Sequence, residues 1–211
     1  MVPVRETPAG LEDSTEFPSQ QQIERDLGLP EGTACTPTAF YIMARLSGYP
    51  SGQLDPAQFV GALDYENDRD ESGWIRPRLS ADLRLKHGIE LVSWNTSDQT
   101  QDIGRMVQSG YLHSKREIDF FRDAVEGKSV LDLIDSGYAV VAAMMPGFAT
   151  NAQIHTAILM LPEDPDGGTI RVIDPDGRNS TVNYSREDIV KSLQPDGACS
   201  IVLPPEAPPH N

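Results

Sequence analysis

Cysteine is the residue of this chain best suited to nucleophilic chemistry, and the 211 residues contain only two, Cys35 and Cys199. Cys35 comes directly before a stretch with a helical pattern. Free N–H groups and the positive end of a helix dipole stabilise a thiolate at such a position, so Cys35 is a candidate nucleophile for an acyl carbon. A single cysteine in an apolar segment is more often core, however. Other residues must therefore decide its role.

A histidine and an aspartate provide the expected base and its orienting group. The strand-like runs QIHTAILML and GTIRVID are joined by the turn-forming residues PEDPDG, which predicts a hairpin. If Leu161 lies opposite about Thr169, then His155 falls beside Asp174 or Pro175. Residues that are adjacent across a ladder have β-carbons about 5 Å apart, which allows a carboxylate to orient an imidazole.

The remaining histidines and a metal site are weaker alternatives. His87 ends a predicted helix, His113 lies in a loop and His210 is near the chain end. Taken separately, His155 could be a structural histidine and Asp174 a turn cap. Cys35, His155, Asp174 and Cys199 lack the close ligand spacing of structural zinc, so we expect neither a metal nor a cofactor.

The predicted secondary structure must position these side chains, beginning with the helix that follows Cys35. In GTACTPTAFYIMARLSG, Thr36 is the predicted N-cap, Pro37 the first helical residue and Gly48 the left-handed stop. The stretch FPSQQQ is either an extended segment, in which Gln20 and Gln22 point the same way, or the start of a polar helix. Helical patterns dominate the first two thirds and strand patterns the last third, which predicts an α+β fold with a mostly antiparallel sheet.

At these motifs the chain resembles the papain-like fold, specifically the C39-like cysteine peptidases. ACTPTAFYIMARLSG is similar to the cysteine helix of that family, IHTAILM to its histidine strand and VIDPDG to its aspartate strand. The resemblance implies a helical part whose cysteine helix packs on a C-terminal sheet. It also implies catalytic roles for Cys35, His155 and Asp174, with an upstream glutamine in the oxyanion hole. Gln20 is favoured, then Gln22, with Gln21 also open.

The resemblance implies a cysteine-dependent amide or peptide hydrolase acting on a peptide or protein. Two departures from the family are Thr36, where glycine is usual, and the long distance from the glutamine to Cys35. An acyl transferase or deamidase would use the same residues. Two alternatives of another kind are a papain-like domain that only binds, and a stable protein in which Cys35 forms a disulfide with Cys199.

Composition limits the partners and the domain organisation. The net charge of −15 repels nucleic acid and anionic membranes, so neither is expected as a partner. No apolar run is long enough to span a membrane and no signal peptide is evident, which favours the cytoplasm, although a secreted mature form stays open. The length predicts one domain over residues 20–203, after a flexible or extended lead at 1–19 and before a Pro-rich tail at 204–211.

Overall fold

The computed structural model describes residues 17–49, 55–64, 69–70, 73–74, 76–96, 102–148, 154–162, 168–176 and 182–206. Most of the predicted lead at 1–19 and the end of the predicted tail at 204–211 lie outside these ranges. In the part that the structure describes, no helix is long and apolar enough to cross a membrane.

The described residues form an α+β fold, as predicted. The helices are α1 (Gln20–Leu27), α2 (Cys35–Leu46), α3 (Pro56–Gly61), α4 (Arg76–His87), α5 (Ile103–Gln108), α6 (Lys115–Phe120), α7 (Val130–Asp135) and α8 (Arg186–Ser192), with a π-helical turn at Phe121–Val125. The strands are β1 (Arg69–Asp70), β2 (Gly73–Trp74), β3 (Leu91–Asn95), β4 (Val140–Met144), β5 (His155–Met160), β6 (Thr169–Ile173), β7 (Val182–Ser185) and β8 (Ala198–Val202).

The main sheet has six strands in the order β3-β8-β4-β5-β6-β7, and every recorded pairing is antiparallel. This confirms the predicted antiparallel sheet. Strand β3 comes from the largely helical first part of the chain and pairs with the last strand, β8. The sheet thus pairs a strand from the first half of the chain with the last strand.

Alternate residues of the central strands enter two separate apolar cores. Val141 and Ile158 pack with residues of α1 to α4, whereas Ala142 and Ala157 pack with residues of α5, α7 and α8. Each central strand is therefore buried on both faces, which explains why YAVVAAMM and QIHTAILML read as nearly continuous apolar runs. Helix α2 packs on one face of this sheet, directly against β5.

The start of α2 differs from the prediction. The N-cap is Ala34, which makes no side-chain cap, and Cys35 is the first helical residue. Thr36 is therefore wrong as the N-cap, and Pro37 is the third helical residue. The physical reason is tertiary, because the Thr36 hydroxyl bonds to Thr156 of β5 at 2.7 Å instead of to its own helix. Gly48 has φ 91°, as predicted for a left-handed stop.

Several other caps were readable from sequence. Asp55 accepts a hydrogen bond from the Gln58 N–H ahead of α3, and Ser114 forms a capping box with Glu117 in α6. Of the two possibilities for FPSQQQ, the helix start is correct and the extended segment is wrong. Residues Gln20–Leu27 form α1, capped by the Ser19 hydroxyl, which accepts from the Gln22 N–H at 3.1 Å.

Candidate active site

His155 and Asp174 are in direct contact, as their hairpin predicted. Nε2 of His155 lies 2.6 Å from Oδ1 of Asp174. The register is displaced by one residue from the predicted one, because Met160 pairs with Arg171. Extending this ladder places Asp174 opposite Ala157, two residues along from His155. Diagonal neighbours share a face and lie within reach of long side chains, so the contact forms across the diagonal.

The Asp174 carboxylate is also held by the turn that it begins. Its Oδ1 atom also accepts the Asp176 N–H at 2.8 Å, as expected of an aspartate that begins a turn. The next carbonyl, that of Pro175, accepts the Gln20 N–H at 2.7 Å. The turn after β6 is thereby tied to the start of α1, and the carboxylate that orients His155 is anchored to the segment that carries Gln20.

His155 is held in its charged form. The side chain is 5% exposed, and burial by itself lowers the pKa of the imidazole. Hydrogen bonds and charge interactions with Asp174 and Cys35 more than reverse this effect and raise the pKa of His155 to about 10. At neutral pH the ring is therefore an imidazolium. Because Nε2 faces Asp174, Nδ1 is the nitrogen left for Cys35.

Cys35 occupies the first position of α2 and is partly exposed. Burial raises the pKa of the Cys35 thiol, but the hydrogen bond and charge of His155, together with the hydroxyls of Thr36 and Thr156, bring that pKa below its ordinary value. The helix dipole acts in the same direction at this position. The lowered thiol pKa and the raised imidazole pKa both favour the thiolate–imidazolium form of the pair.

Gln20 is the buried member of the glutamine triplet. It is 2% exposed, whereas Gln21 and Gln22 are exposed, and the Gln22 amide bonds to Asp26 along the helix. The Gln20 Nε2 atom donates to Oε1 of Glu24 at 2.7 Å, while its own Oε1 is buried without a hydrogen-bond partner. The alternation that paired Gln20 with Gln22 is therefore wrong, because the segment is helical.

Glu24 joins Gln20 to the segment before Cys35, and sequence reasoning missed it. Its carboxylate accepts the Ala34 N–H at 2.8 Å and the Gly32 N–H at 3.2 Å in addition to the Gln20 amide. It is 4% exposed. The spacing of four residues between Gln20 and Glu24 was the available signal, but it marks a pair only once the segment is known to be helical.

Cys199 has a different environment from Cys35. It is a free thiol in β8 that is fully buried, and burial raises its pKa to about 12. Cys35 is also a free thiol, so the two are not joined by a disulfide. The alternative that assigned Cys35 to a structural bridge with Cys199 is therefore wrong for this structure. A thiol with such a high pKa is unreactive at neutral pH.

The arrangement of thiol, imidazole and carboxylate is suited to nucleophilic attack on an acyl carbon, followed by proton transfer through the ring. Among the described residues, no group of three or more His, Cys, Asp or Glu side chains is placed to hold a metal ion. No family model matches the chain, and no curated protein or solved structure resembles it significantly.

Proposed function

We propose that this protein is a cysteine-dependent amide hydrolase with a papain-like, C39-like fold, and that its substrate is a peptide or protein. The observation that carries the proposal is the hydrogen bond of 2.6 Å between His155 and Asp174, with the thiol of Cys35 interacting with the same imidazole. A helix N-terminus that carries the thiol and a sheet that carries the base and its orienter support this assignment.

In the proposed mechanism, the Cys35 thiolate attacks the carbonyl carbon of the scissile amide. The tetrahedral oxyanion accepts hydrogen bonds from the Cys35 N–H and from the Gln20 amide. Nε2 of Gln20 has two hydrogens and the Glu24 contact uses one, so the second is available. The imidazolium of His155 gives its proton to the leaving amine as the C–N bond breaks, which leaves a thioester on Cys35.

Hydrolysis of the thioester completes the cycle. The neutral His155 ring removes a proton from water, whose oxygen attacks the thioester carbon, and the carboxylic acid leaves as the thiolate reforms. Asp174 keeps the ring oriented in both steps and stabilises its charged form. If an amine replaces this water, the product is an acylated amine, and if the substrate is a glutamine side chain, the reaction is deamidation. Product analysis by mass spectrometry distinguishes these outcomes.

The test is alkylation by iodoacetamide at neutral pH, followed by peptide mass spectrometry. We expect selective labelling of Cys35, because its pKa is lowered, and no labelling of Cys199, whose pKa is raised to about 12. The His155→Ala variant should lose the selective labelling. His113→Ala is the matched control, since His113 is exposed and outside the site. Equally slow labelling of both cysteines in the native protein would contradict the proposal.

A further inference from the structure

Arg76 is a buried cation close to the candidate site. It is the first residue of α4 and is 7% exposed. Its guanidinium carbon lies 5.2 Å from the centre of the Phe40 ring. Phe40 is five residues after Cys35 on α2, which is about 7.5 Å along the helix axis. The guanidinium therefore lies beside the first half of the helix that begins with the thiol.

The guanidinium of Arg76 has no carboxylate partner among the described residues. Its Nη1 atom is fully buried and makes no hydrogen bond. Burial lowers the pKa of Arg76, and the groups whose charges oppose this shift are Cys35, Cys199 and Tyr111, none of which is a carboxylate. By contrast, Arg116 lies 2.7 Å from Glu90 in an ion pair. Arg76 is thus a buried charge without a carboxylate partner in the described part of an acidic protein.

An unpaired buried charge is unfavourable for folding. Removing a charged group from water without a compensating partner costs several kcal/mol, and an apolar residue of similar volume is often neutral or more stable. The ring of Phe40 offsets part of this cost, since cation–π contacts contribute about 1 to 2 kcal/mol. A contribution to stability therefore does not account for a buried arginine without a carboxylate partner at this position.

The Cys35 thiolate is not the anion that Arg76 lacks. Cys35 already has His155 as its counter-ion, and its pKa is lowered chiefly by His155 and by the hydroxyls of Thr36 and Thr156. A guanidinium has a planar set of donors that matches a carboxylate in a bidentate arrangement. The buried Nη1 atom of Arg76 is a donor that no acceptor in the described ranges satisfies.

We propose that Arg76 binds a carboxylate of the substrate next to Cys35, so that the preferred acyl donor carries a carboxylate close to the bond that is cleaved. This assignment rests on the proposed function, because it places the ligand beside the attacking thiol. The carboxylate would be either a peptide C-terminus or an acidic side chain. Arg76 would then determine which substrates react, while Cys35 and His155 perform the reaction.

Two small alkylating reagents of nearly the same shape test the proposal. Iodoacetate carries a carboxylate and iodoacetamide a neutral amide, so the ratio of their rates at Cys35 measures the preference for the anion. The charge of His155 also attracts iodoacetate. Because His155 is present in every variant, this effect does not alter the comparison between variants. In Arg76→Met we expect the ratio to fall about tenfold, which corresponds to one charge-assisted hydrogen bond. Arg76→Lys should retain part of the preference.

Arg78→Met is the matched control, because it removes an equal charge from an exposed residue of the same helix. It should leave the ratio unchanged. An unchanged ratio in Arg76→Met would overturn the proposal, as would an equal loss of rate with both reagents, which would mean that Arg76 acts on the thiolate. Thermal unfolding of Arg76→Met should show no loss of stability.

A second measurement does not depend on thiol reactivity. The Cys35→Ser variant is titrated with succinate and with neutral succinamide by calorimetry. We expect binding of succinate that is lost in Cys35→Ser/Arg76→Met, and no binding of succinamide. If Cys35 proved unreactive with both alkylating reagents while succinate still bound through Arg76, the proposed hydrolase would fail and the anion site would stand. Absence of succinate binding would contradict the anion site itself.

Discussion

The hydroxyl of Thr36 lies 2.7 Å from the hydroxyl of Thr156, and both side chains are buried. Thr36 follows Cys35 at the start of α2, and Thr156 follows His155 at the start of β5. One hydrogen bond therefore joins the element that carries the thiol to the element that carries the imidazole. The two threonines are chain neighbours of the reacting side chains, so this bond connects the backbone segments that carry the thiol and the base.

Replacing Thr156 by Val should lower the free energy of unfolding by about 1 to 3 kcal/mol, because it leaves the buried Thr36 hydroxyl without its partner. The Thr36→Val/Thr156→Val double variant should lose less free energy of unfolding than the two single variants lose together. Alkylation of Cys35 should slow in each variant. Urea unfolding and labelling rates measure the two effects.

The buried hydroxyl pair of Ser93 and Ser200, also 2.7 Å apart, is the matched control. Ser93→Ala should reduce stability without changing the alkylation rate of Cys35, since that pair joins β3 to β8. If the serine and threonine variants changed the labelling rate equally, the Thr36–Thr156 bond would have no special role in aligning the site.

The pH dependence of alkylation should report the thiolate–imidazolium pair. The rate at Cys35 should rise with an inflection below the ordinary thiol pKa of 9.0. In His155→Ala that inflection should move upward, because burial then dominates the pKa of Cys35. Rates of iodoacetamide labelling between pH 5 and pH 10 provide the measurement, and an inflection unaffected by the substitution would contradict the pair.

Asp174→Asn should destabilise the protein in a pH-dependent way. Burial lowers the pKa of His155, but Asp174 and Cys35 raise it from 6.5 to about 10. Because the pKa of His155 is higher in the folded state, the protonated ring stabilises the fold fully below about pH 6.5. This contribution disappears as the pH rises through about 10. The loss in Asp174→Asn, on the order of a few kcal/mol at pH 6, should therefore shrink towards pH 10.

Urea unfolding of the native protein and of Asp174→Asn at pH 6, 8 and 10 measures this difference. Glu187→Gln is a control, since Glu187 is exposed and its carboxylate pairs with Lys191 one turn further along α8. A destabilisation by Asp174→Asn that stayed constant with pH would show that the carboxylate does not hold His155 in its charged form.

The Glu24→Gln substitution should slow the acylation of Cys35 and leave its alkylation nearly unchanged. Glu24 holds the Gln20 amide and the Ala34 N–H, so its loss should disturb the proposed oxyanion hole. Acylation of Cys35 by p-nitrophenyl acetate passes through a tetrahedral oxyanion and should slow about tenfold or more, as should acylation of Gln20→Ala. Alkylation by iodoacetamide forms no oxyanion and should be nearly unchanged.

Glu31→Gln is the control for this experiment, because Glu31 is exposed and precedes the same segment. It should alter neither rate. Equal losses in acylation and alkylation in Glu24→Gln would indicate general damage to the site and would contradict a positioning role for Glu24.

Local sequence signals predicted most elements of the fold. The capping box of Ser114 and Glu117 and the Asp55 cap of α3 are confirmed, because each depends on residues within a single turn. The hairpin that brings Asp174 to His155 was also predictable, since a short link with strong turn residues restricts the register to within one residue. For Gln20 the local pattern left an extended segment and a helix start both open, and the structure shows the helix start.

By itself the sequence determined the α+β class, the antiparallel sheet and the contact between His155 and Asp174, all of which depend on local periodicity and turn chemistry. Only the tertiary structure brought Cys35 into interaction with His155, across 120 residues of chain, and placed Arg76 beside the Cys35 helix. These contacts depend on how α2 and α4 pack on the sheet. Packing of this kind depends on the shapes of many side chains together, so no short motif encodes it.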